Sequence, residues 1–444
     1  MKKRIWLLLA TVLTALLLNG CALRTVKDMY APPKRSEEYQ SLQKAIDMAM
    51  VGLDYSSPLS GENQQSVQMA DLTGDGLDEY LVFAESTSGS TVTPLQILIF
   101  TQLEDGTCRL MEVIENTGSA FEQVEYVEFD DTPGYELIVG RQVSDQILRN
   151  VGVYTFANGG AEQLLLIGYS RFLTCDLDEN GHSELMVLRP SEVATDVGMA
   201  LLYSFKNGQI VRSVETELSE APHRIKRITQ GRLHGGSPAV FVASSVDDSA
   251  IVTDIYALRG DQFANVIFSN ESSASVETLR NYYVYSDDID NDGIMELPSL
   301  ISMQPVSGWA RDDQNFLIRW FSMDLEGREV DKLYSFHNFG GGWYIQLESD
   351  WAGRVSVEQD GSTYTFFVWD EWYQEATALF TVYTLTGSNR DEEAAADGRF
   401  PLYRTEGIAY AGMLESSAAA YHITEEELIN SFRLIQQDWQ TGET

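Results

Sequence analysis

The chain has 444 residues, with 67 Asp and Glu against 30 Lys and Arg, and a formal net charge of −37. A body this acidic is repelled by nucleic acid and by anionic lipid headgroups, and it is suited to holding divalent cations. A hydrophobic content of 44% and an aromatic content of 11% exclude a disordered chain, and three cysteines exclude a disulfide scaffold.

The chain opens with Met1-Lys2-Lys3-Arg4, an unbroken apolar run from Ile5 to Leu18, and then Asn19-Gly20-Cys21. A basic start, an apolar middle and a small residue before the cut make a secretory signal. The run is shorter than the roughly 20 apolar residues that span a bilayer. Leu18-Asn19-Gly20-Cys21 resembles the bacterial lipobox, in which the cysteine is acylated and becomes the mature N-terminus. The resemblance implies a signal peptide at 1–20, a lipid on Cys21 and attachment to the outer face of the cell membrane. Cleavage would remove Lys2, Lys3 and Arg4 and take the charge to −40. Residues 21–38, with Pro32, Pro33 and mixed charges, read as an extended tether. Leu42, Ile46, Ala49, Met50 and Leu53 then fall on one helix face, which predicts a helix over 37–53 that packs on the body of the protein.

An acidic pattern recurs in the body. DLTGDGLDEYLVF begins at Asp71, DLDENGHSELMVL at Asp176 and DIDNDGIMELPSL at Asp288. A shortened copy, FDDTPGYELIVG, begins at Phe129, and a decayed one, GRLHGGSPAVFVAS, begins at Gly231 with its acids lost. A second element keeps step with the first: an aromatic strand and then a turn. Examples are Phe100 before Asp105-Gly106, Tyr154 and Phe156 before Asn158-Gly159, and Tyr203 and Phe205 before Asn207-Gly208. Tyr256 before Gly260 and Trp320-Phe321 before Glu326-Gly327 continue the series. Asn-Gly and Asp-Gly supply the positive φ angles of tight hairpins. Each unit is therefore several short strands that cannot bury a face alone. Units of this kind without helices between them predict propeller blades, with a β-sandwich or β-solenoid as the competing architectures.

The loops resemble those of FG-GAP and VCBS repeats, found in integrin α-subunit propellers and bacterial surface proteins. The resemblance covers about 60–335 and implies a mainly β fold, a propeller of five to seven blades. Five units are visible, so a sixth blade could be closed by strands from the two ends. A hard cation such as Ca2+ needs six to eight oxygens, which a short loop can supply at alternating positions. The loop from Asp288 offers Asp288, Asp290, Asp292 and Glu296 around Gly293, with the Ile294 carbonyl. The loop from Asp176 offers Asp176, Asp178, Asn180 and Glu184 around Gly181, with the His182 carbonyl. The loop from Asp71 offers Asp71, Asp75 and Glu79, with Thr73 in place of a carboxylate. The copy at Asp130 and Asp131 is a residue short and stiffened by Pro133, and is expected to bind nothing. Three carboxylates within a few ångströms repel unless a cation compensates them. The expected role of Ca2+ is structural, fixing each loop so that the following strand enters its sheet in register.

Cys108 and Cys175 would allow one bridge but read as two buried free thiols. The five histidines show no zinc-ligand spacing. From about Phe339 the repeat stops, and 336–444 reads as a small α+β domain of antiparallel strands. Tyr364, Phe366 and Val368 alternate opposite Val355 and Val357 across a turn at Gln359-Asp360-Gly361. Leu379–Leu385 and Ile408–Met413 read as further strands, separated by a charged loop around 390–398. Thr424 and Glu427 form a capping box that opens a last helix carrying Leu428, Phe432 and Ile435. Trp343, Trp351, Trp369 and Trp372 read as core before they read as a sugar-stacking surface. The domain division is thus 1–20, 21–38, 39–335 and 336–444. No catalytic spacing stands out, so the chain reads as a surface module for a protein or glycan ligand. The alternatives are a glycan hydrolase or lyase, for which paired carboxylates would suffice, and an envelope assembly or sensing factor.

Overall fold

The structure, a computed structural model, describes residues 37–87, 94–143, 149–189, 198–219, 224–246, 250–303, 316–347, 353–370, 375–436 and 439. The signal, Cys21 and the tether up to residue 36 lie outside them, while Glu37 and Glu38 begin a helix instead of ending the tether. The described chain is mainly β, built of six antiparallel sheets taken in chain order.

The first sheet runs from Leu53–Tyr55 and Val67–Ala70 through Glu79–Ser86 and Pro94–Gln102 to Cys108–Thr117. The second contains Ala120–Val127, Glu136–Gln142, Arg149–Thr155 and Glu162–Tyr169. The third contains Arg171–Cys175, Glu184–Arg189, Met199–Lys206 and Gln209–Glu217. The fourth is Arg224–Arg232, Pro238–Ser245, Ile251–Arg259 and Gln262–Asn265, and the fifth begins with Glu296–Ser302, Phe316–Met323, Glu329–Asn338 and Trp343–Leu347. The sixth takes Val355–Asp360, Thr363–Asp370, Glu375–Thr386, Ile408–Leu414 and Phe400–Arg404 in that spatial order. The aromatic strands and Gly turns read from the sequence are the outer hairpins of the first five sheets. Gly106, Gly159, Gly208, Gly260 and Gly327 all have positive φ.

The strand after each acidic loop is apolar at consecutive positions because both of its faces are buried. Leu137 and Val139 pack with Phe83 and Ile97 of the first sheet, while Ile138 between them packs with Leu185 and Val187 of the third. Met186 and Leu188 of the third pack on Val240 and Val242 of the fourth. Phe241 and Ile255 of the fourth meet Leu297 and Phe321 of the fifth. Phe336 and Trp343 of the fifth pack on Val355, Phe366 and Phe380 of the sixth. Antiparallel meanders joined face to face in this way are the blades of a β-propeller.

The two ends of the series are covered differently. Val82, Leu98 and Phe100 on the outer face of the first sheet are sealed by Ala45 and Ile46 of the helix Glu37–Ala49. The outer face of the sixth carries Ala409 and Ala411 under Ala394, beside the short helix Arg390–Glu393. Among the described residues, no core cluster joins the sixth sheet to the first.

The C-terminal third differs in detail from its sequence reading. The strand Glu329–Asn338 runs through the expected boundary at 335–336, and Trp343–Leu347 still belongs to the fifth sheet. The capping box at Thr424 and Glu427 forms, but its helix is only Glu425–Ser431. Phe432–Leu434 turns into a strand that pairs with Trp343–Leu347, so the far end of the chain edges the fifth sheet. β-branched and aromatic contacts override the helical spacing there: Phe432 stacks on Trp343 at 5.7 Å. Trp343 is fully buried and Trp369 half-buried, while Trp351 and Trp372 lie outside the described residues. Cys108, half-buried on the first sheet, and Cys175, buried on the third, form no disulfide with each other.

Candidate metal-binding loops

The acidic loops share one backbone. The fourth position is left-handed in each, at Gly74 (φ 72°), Glu179 (56°) and Asn291 (62°), and the sixth is Gly76, Gly181 or Gly293 at 87° to 89°. A Cβ on Gly181 or Gly293 would meet no heavy atom within 4 Å, so backbone conformation, not space, demands glycine there. The first aspartate holds this turn with both oxygens. Asp288 accepts from the Asp292 and Gly293 amides at 2.9 Å each, and Asp176 accepts from the Asn180 and Gly181 amides at 3.1 and 3.0 Å. Asp71 does the same for Gly74 and Gly76 at 2.7 and 2.8 Å.

The closing glutamate has a second task that the sequence did not disclose. Glu79, Glu136, Glu184 and Glu296 are all buried, and each reaches back seven residues to a backbone amide. The partners are Leu72 at 3.0 Å, Phe129 at 3.3 Å, Leu177 at 2.9 Å and Ile289 at 3.2 Å. Those four partners are apolar knobs, themselves buried. The signal was present as an apolar residue at the second position of the three full loops and at the head of the shortened copy, which metal-ligand counting passes over.

Two loops bring ligand oxygens together: those of Asp176, Asp178 and Glu184, and those of Asp288, Asp290 and Glu296, lie within 4.8 Å of one another. Asn180 and Asp292, expected as ligands at the fifth position, are not in these gathered sets; their side chains accept from the His182 and Ile294 amides at 2.7 and 2.8 Å. Burial, followed by the nearby Asp290, pushes Glu296 up to about 8. Burial likewise pushes Glu184 up to about 7, with Asp178 and Asp176 adding to it. Glu296 Oε1 is buried without a hydrogen-bond partner. A buried carboxylate oxygen without a hydrogen bond, facing other carboxylates, suits a hard cation. The acidic clusters can hold a metal ion.

The loop at Asp288 also has a neighbour from outside the repeat pattern. The Lys332 ammonium pairs with Asp292 and lies 3.6 Å from Asp290 and 3.8 Å from Glu296. A β-bulge places it there: Leu333 pairs with Trp320 and Asp331 with Phe321, leaving Lys332 as the extra residue. The corresponding bulges of the first and second sheets hold Met111 and Leu164.

The remaining copies do other work. Asp71, Asp75 and Glu79 are not gathered as the other two sets are. The Glu79 carboxylate is turned toward the Leu72 and Thr73 amides and the Thr73 and Thr101 hydroxyls, and Asp75 toward the Leu77 amide. In the shortened copy, Asp130 accepts from the Thr132 amide at 2.7 Å and from the Gly208 amide of the third sheet's outer hairpin at 2.9 Å. These bonds, with a contribution from the charge of His182, hold its carboxyl below the usual range despite burial. The decayed copy is a neutral turn at Gly235 and Gly236 whose His234 amide donates to Met323 of the fifth sheet.

No protein-family model matches the chain, and no curated protein matches it. Among solved structures it is similar to the rhamnogalacturonan lyase YesW, at 11% identity over 74% of this chain and 67% of that one, with a TM-score of 0.26. It is similar to the β-propeller domain of the Trilobed protease from Pyrococcus furiosus, at 12% identity over 72% and 90% with a TM-score of 0.26. The Dos1 propeller matches at 11% identity over 82% and 96%, with a TM-score of 0.27. At such TM-scores the likenesses carry no inference about activity, and the fold rests on its own sheets.

Proposed function

We propose that this chain is an extracytoplasmic binding module, anchored by a lipid on Cys21 and built on FG-GAP/VCBS-type blades that calcium braces. Its rigid sheets would present loops to a protein or glycan ligand. The observation that carries the reading is the recurrence of one design. At the same place in the third and fifth sheets, three carboxylate groups converge on a left-handed turn closed by a buried glutamate. Ca2+ there would gather oxygens that otherwise repel, and would hold the strand after each loop against its neighbours on both faces. The proposed attachment is one acylated cysteine; no described helix is long and apolar enough to cross a membrane.

Two measurements test the proposal. Cys21→Ala should move the protein from the membrane pellet to the soluble fraction, and a variant that still sediments refutes the lipid anchor. Protein lacking the anchor, used as bait on cell envelopes, should capture a partner in Ca2+ and lose it in chelator. Capture indifferent to chelation would separate ligand binding from the metal loops.

A further inference from the structure

Among the described residues, positive charge gathers at the ends of the second and third sheets away from the acidic loops. Arg149 opens the strand Arg149–Thr155, Arg171 opens Arg171–Cys175, and Arg141 lies next to the end of Glu136–Gln142. The Arg149 and Arg171 guanidiniums both donate to the Ser170 carbonyl, at 3.3 and 3.0 Å. Two like charges thus share one neutral acceptor. Arg224, opening the first strand of the fourth sheet, is close enough that its charge and that of Arg149 both disfavour the Arg171 cation, which burial already depresses.

Compensation is incomplete. Among the described residues, Glu122 is the carboxylate that pairs with this group, at 2.9 Å from Arg149 Nε, and it also accepts from Gln142 at 3.3 Å. Behind it sits Arg141, only 3% exposed, whose one hydrogen bond is a long 3.4 Å contact to the Thr117 carbonyl. Its Nε has no partner. The buried Tyr169 hydroxyl, electrostatically coupled to Arg141, Arg149 and Arg171, also lacks a partner. Gly140 makes room for it: a Cβ there would fall 2.4 Å from that hydroxyl and 2.9 Å from the Phe172 ring. Among the described residues, four guanidiniums against one carboxylate, with two buried donors unmet, mirror the acidic loops with the sign reversed.

We propose that this cluster is a binding site for a small oxyanion, the carboxylate of an acidic sugar or a free inorganic anion, gripped by Arg149 and Arg171. Guanidinium forks match the paired oxygens of such groups. Arg141 and Tyr169 act from behind, the first by uncompensated charge and the second by an unmatched donor. The proposal does not rest on the metal loops, so it can stand if they fail and fail if they stand.

The test is calorimetric titration of the protein with galacturonate, inorganic phosphate and neutral galactose, at matched ionic strength. Galacturonate or phosphate should bind and galactose should not. Tighter binding of galacturonate assigns the site to an acidic sugar, and tighter binding of phosphate assigns it to the free anion. Arg171→Gln should weaken the anion at least tenfold, and the more exposed Arg224→Gln a few-fold, with an unchanged circular dichroism spectrum as the folding control. The proposal is overturned if neither anion binds, if galactose binds equally well, or if both variants, folded, bind the anion as the parent does.

Discussion

The loops at Asp176 and Asp288 have the same turn, the same glycine and the same buried closing glutamate, but different neighbours. Loop 288 has the Lys332 ammonium beside three of its carboxylates, whereas in loop 176 Arg232 pairs with Glu179, outside the ligand set, and Arg212 is only in electrostatic reach of Glu184. By ligand count loop 288 is the richer, with Asp292 where loop 176 has Asn180. By environment it is the one already partly neutralised. A metal entering loop 288 must displace an ammonium held at 18% exposure, while a metal entering loop 176 meets uncompensated carboxylates. Counting ligands along the chain and counting charges in space therefore rank the two loops in opposite orders, and the spatial ranking is the one that affinity should follow.

The largest effect expected from this difference is on Glu184. Glu184→Gln keeps an oxygen for the Leu177 amide but removes the charge that closes loop 176. The variant should lose most of the calcium-dependent stabilisation, about 2.7 kcal/mol at a calcium concentration a hundredfold above Kd. Glu296→Gln should lose less. Thermal melting with calcium and with chelator checks both, and a greater loss in Glu296→Gln would reverse the ranking.

Next in size is the lysine itself. Lys332→Met installs the residue that the equivalent bulge of the first sheet carries, so the bulge should tolerate it. A partly buried charge pair exceeds the ~1 kcal/mol ceiling of exposed ones, so the calcium affinity of loop 288 should rise about tenfold. The same variant should melt earlier than the parent in chelator, where its carboxylates face one another alone. Calorimetric titration showing no gain at loop 288 would remove Lys332 from the comparison.

The pH dependence sharpens it further. Glu184 and Glu296 have folded-state values, about 7 and about 8, above the ordinary 4.5. Metal-free stability from their neutral forms is thus complete below pH 4.5 and is lost as pH rises through 7 and 8. In chelator the melting temperature should fall between pH 5 and pH 8, and calcium should restore most of that fall. In the Glu184→Gln, Glu296→Gln double variant the fall should be shallower, since the remaining decline comes from general repulsion among acidic groups. A double variant as steep as the parent would place the titration elsewhere.

What the sequence made legible is what lies within a short reach of chain. The acidic loops, their glycines, the aromatic outer strands and the N-terminal helix are all local patterns, and each is found near its expected place. Lys332 was not legible, because a bulge well downstream of Glu296 turns it toward the loop, and nothing in a period-2 strand marks the extra residue. The arginine cluster was hidden for the same reason: Arg141, Arg149, Arg171 and Arg224 lie far apart along the chain and meet only when three sheets stack. The helical spacing of Leu428, Phe432 and Ile435 did not disclose that Phe432 would instead pair with Trp343–Leu347.

The smallest expected effect concerns the shortened copy, which by its sequence binds nothing. Asp130 has no set of converging carboxylates, so Asp130→Ala should leave calcium stoichiometry unchanged. Its carboxylate nevertheless spans two sheets, accepting from Thr132 on its own loop and from Gly208 on the next sheet's hairpin. Alanine would leave the buried Gly208 amide without this acceptor, and a hydrogen bond to a charged acceptor at such a site is worth about 1.5 kcal/mol. The variant should therefore melt a little earlier by the same margin in calcium and in chelator. That parallel loss is what separates a strut from a ligand. If the loss appeared only in calcium, Asp130 would belong among the metal-binding residues, and the repeat would have three working loops instead of two.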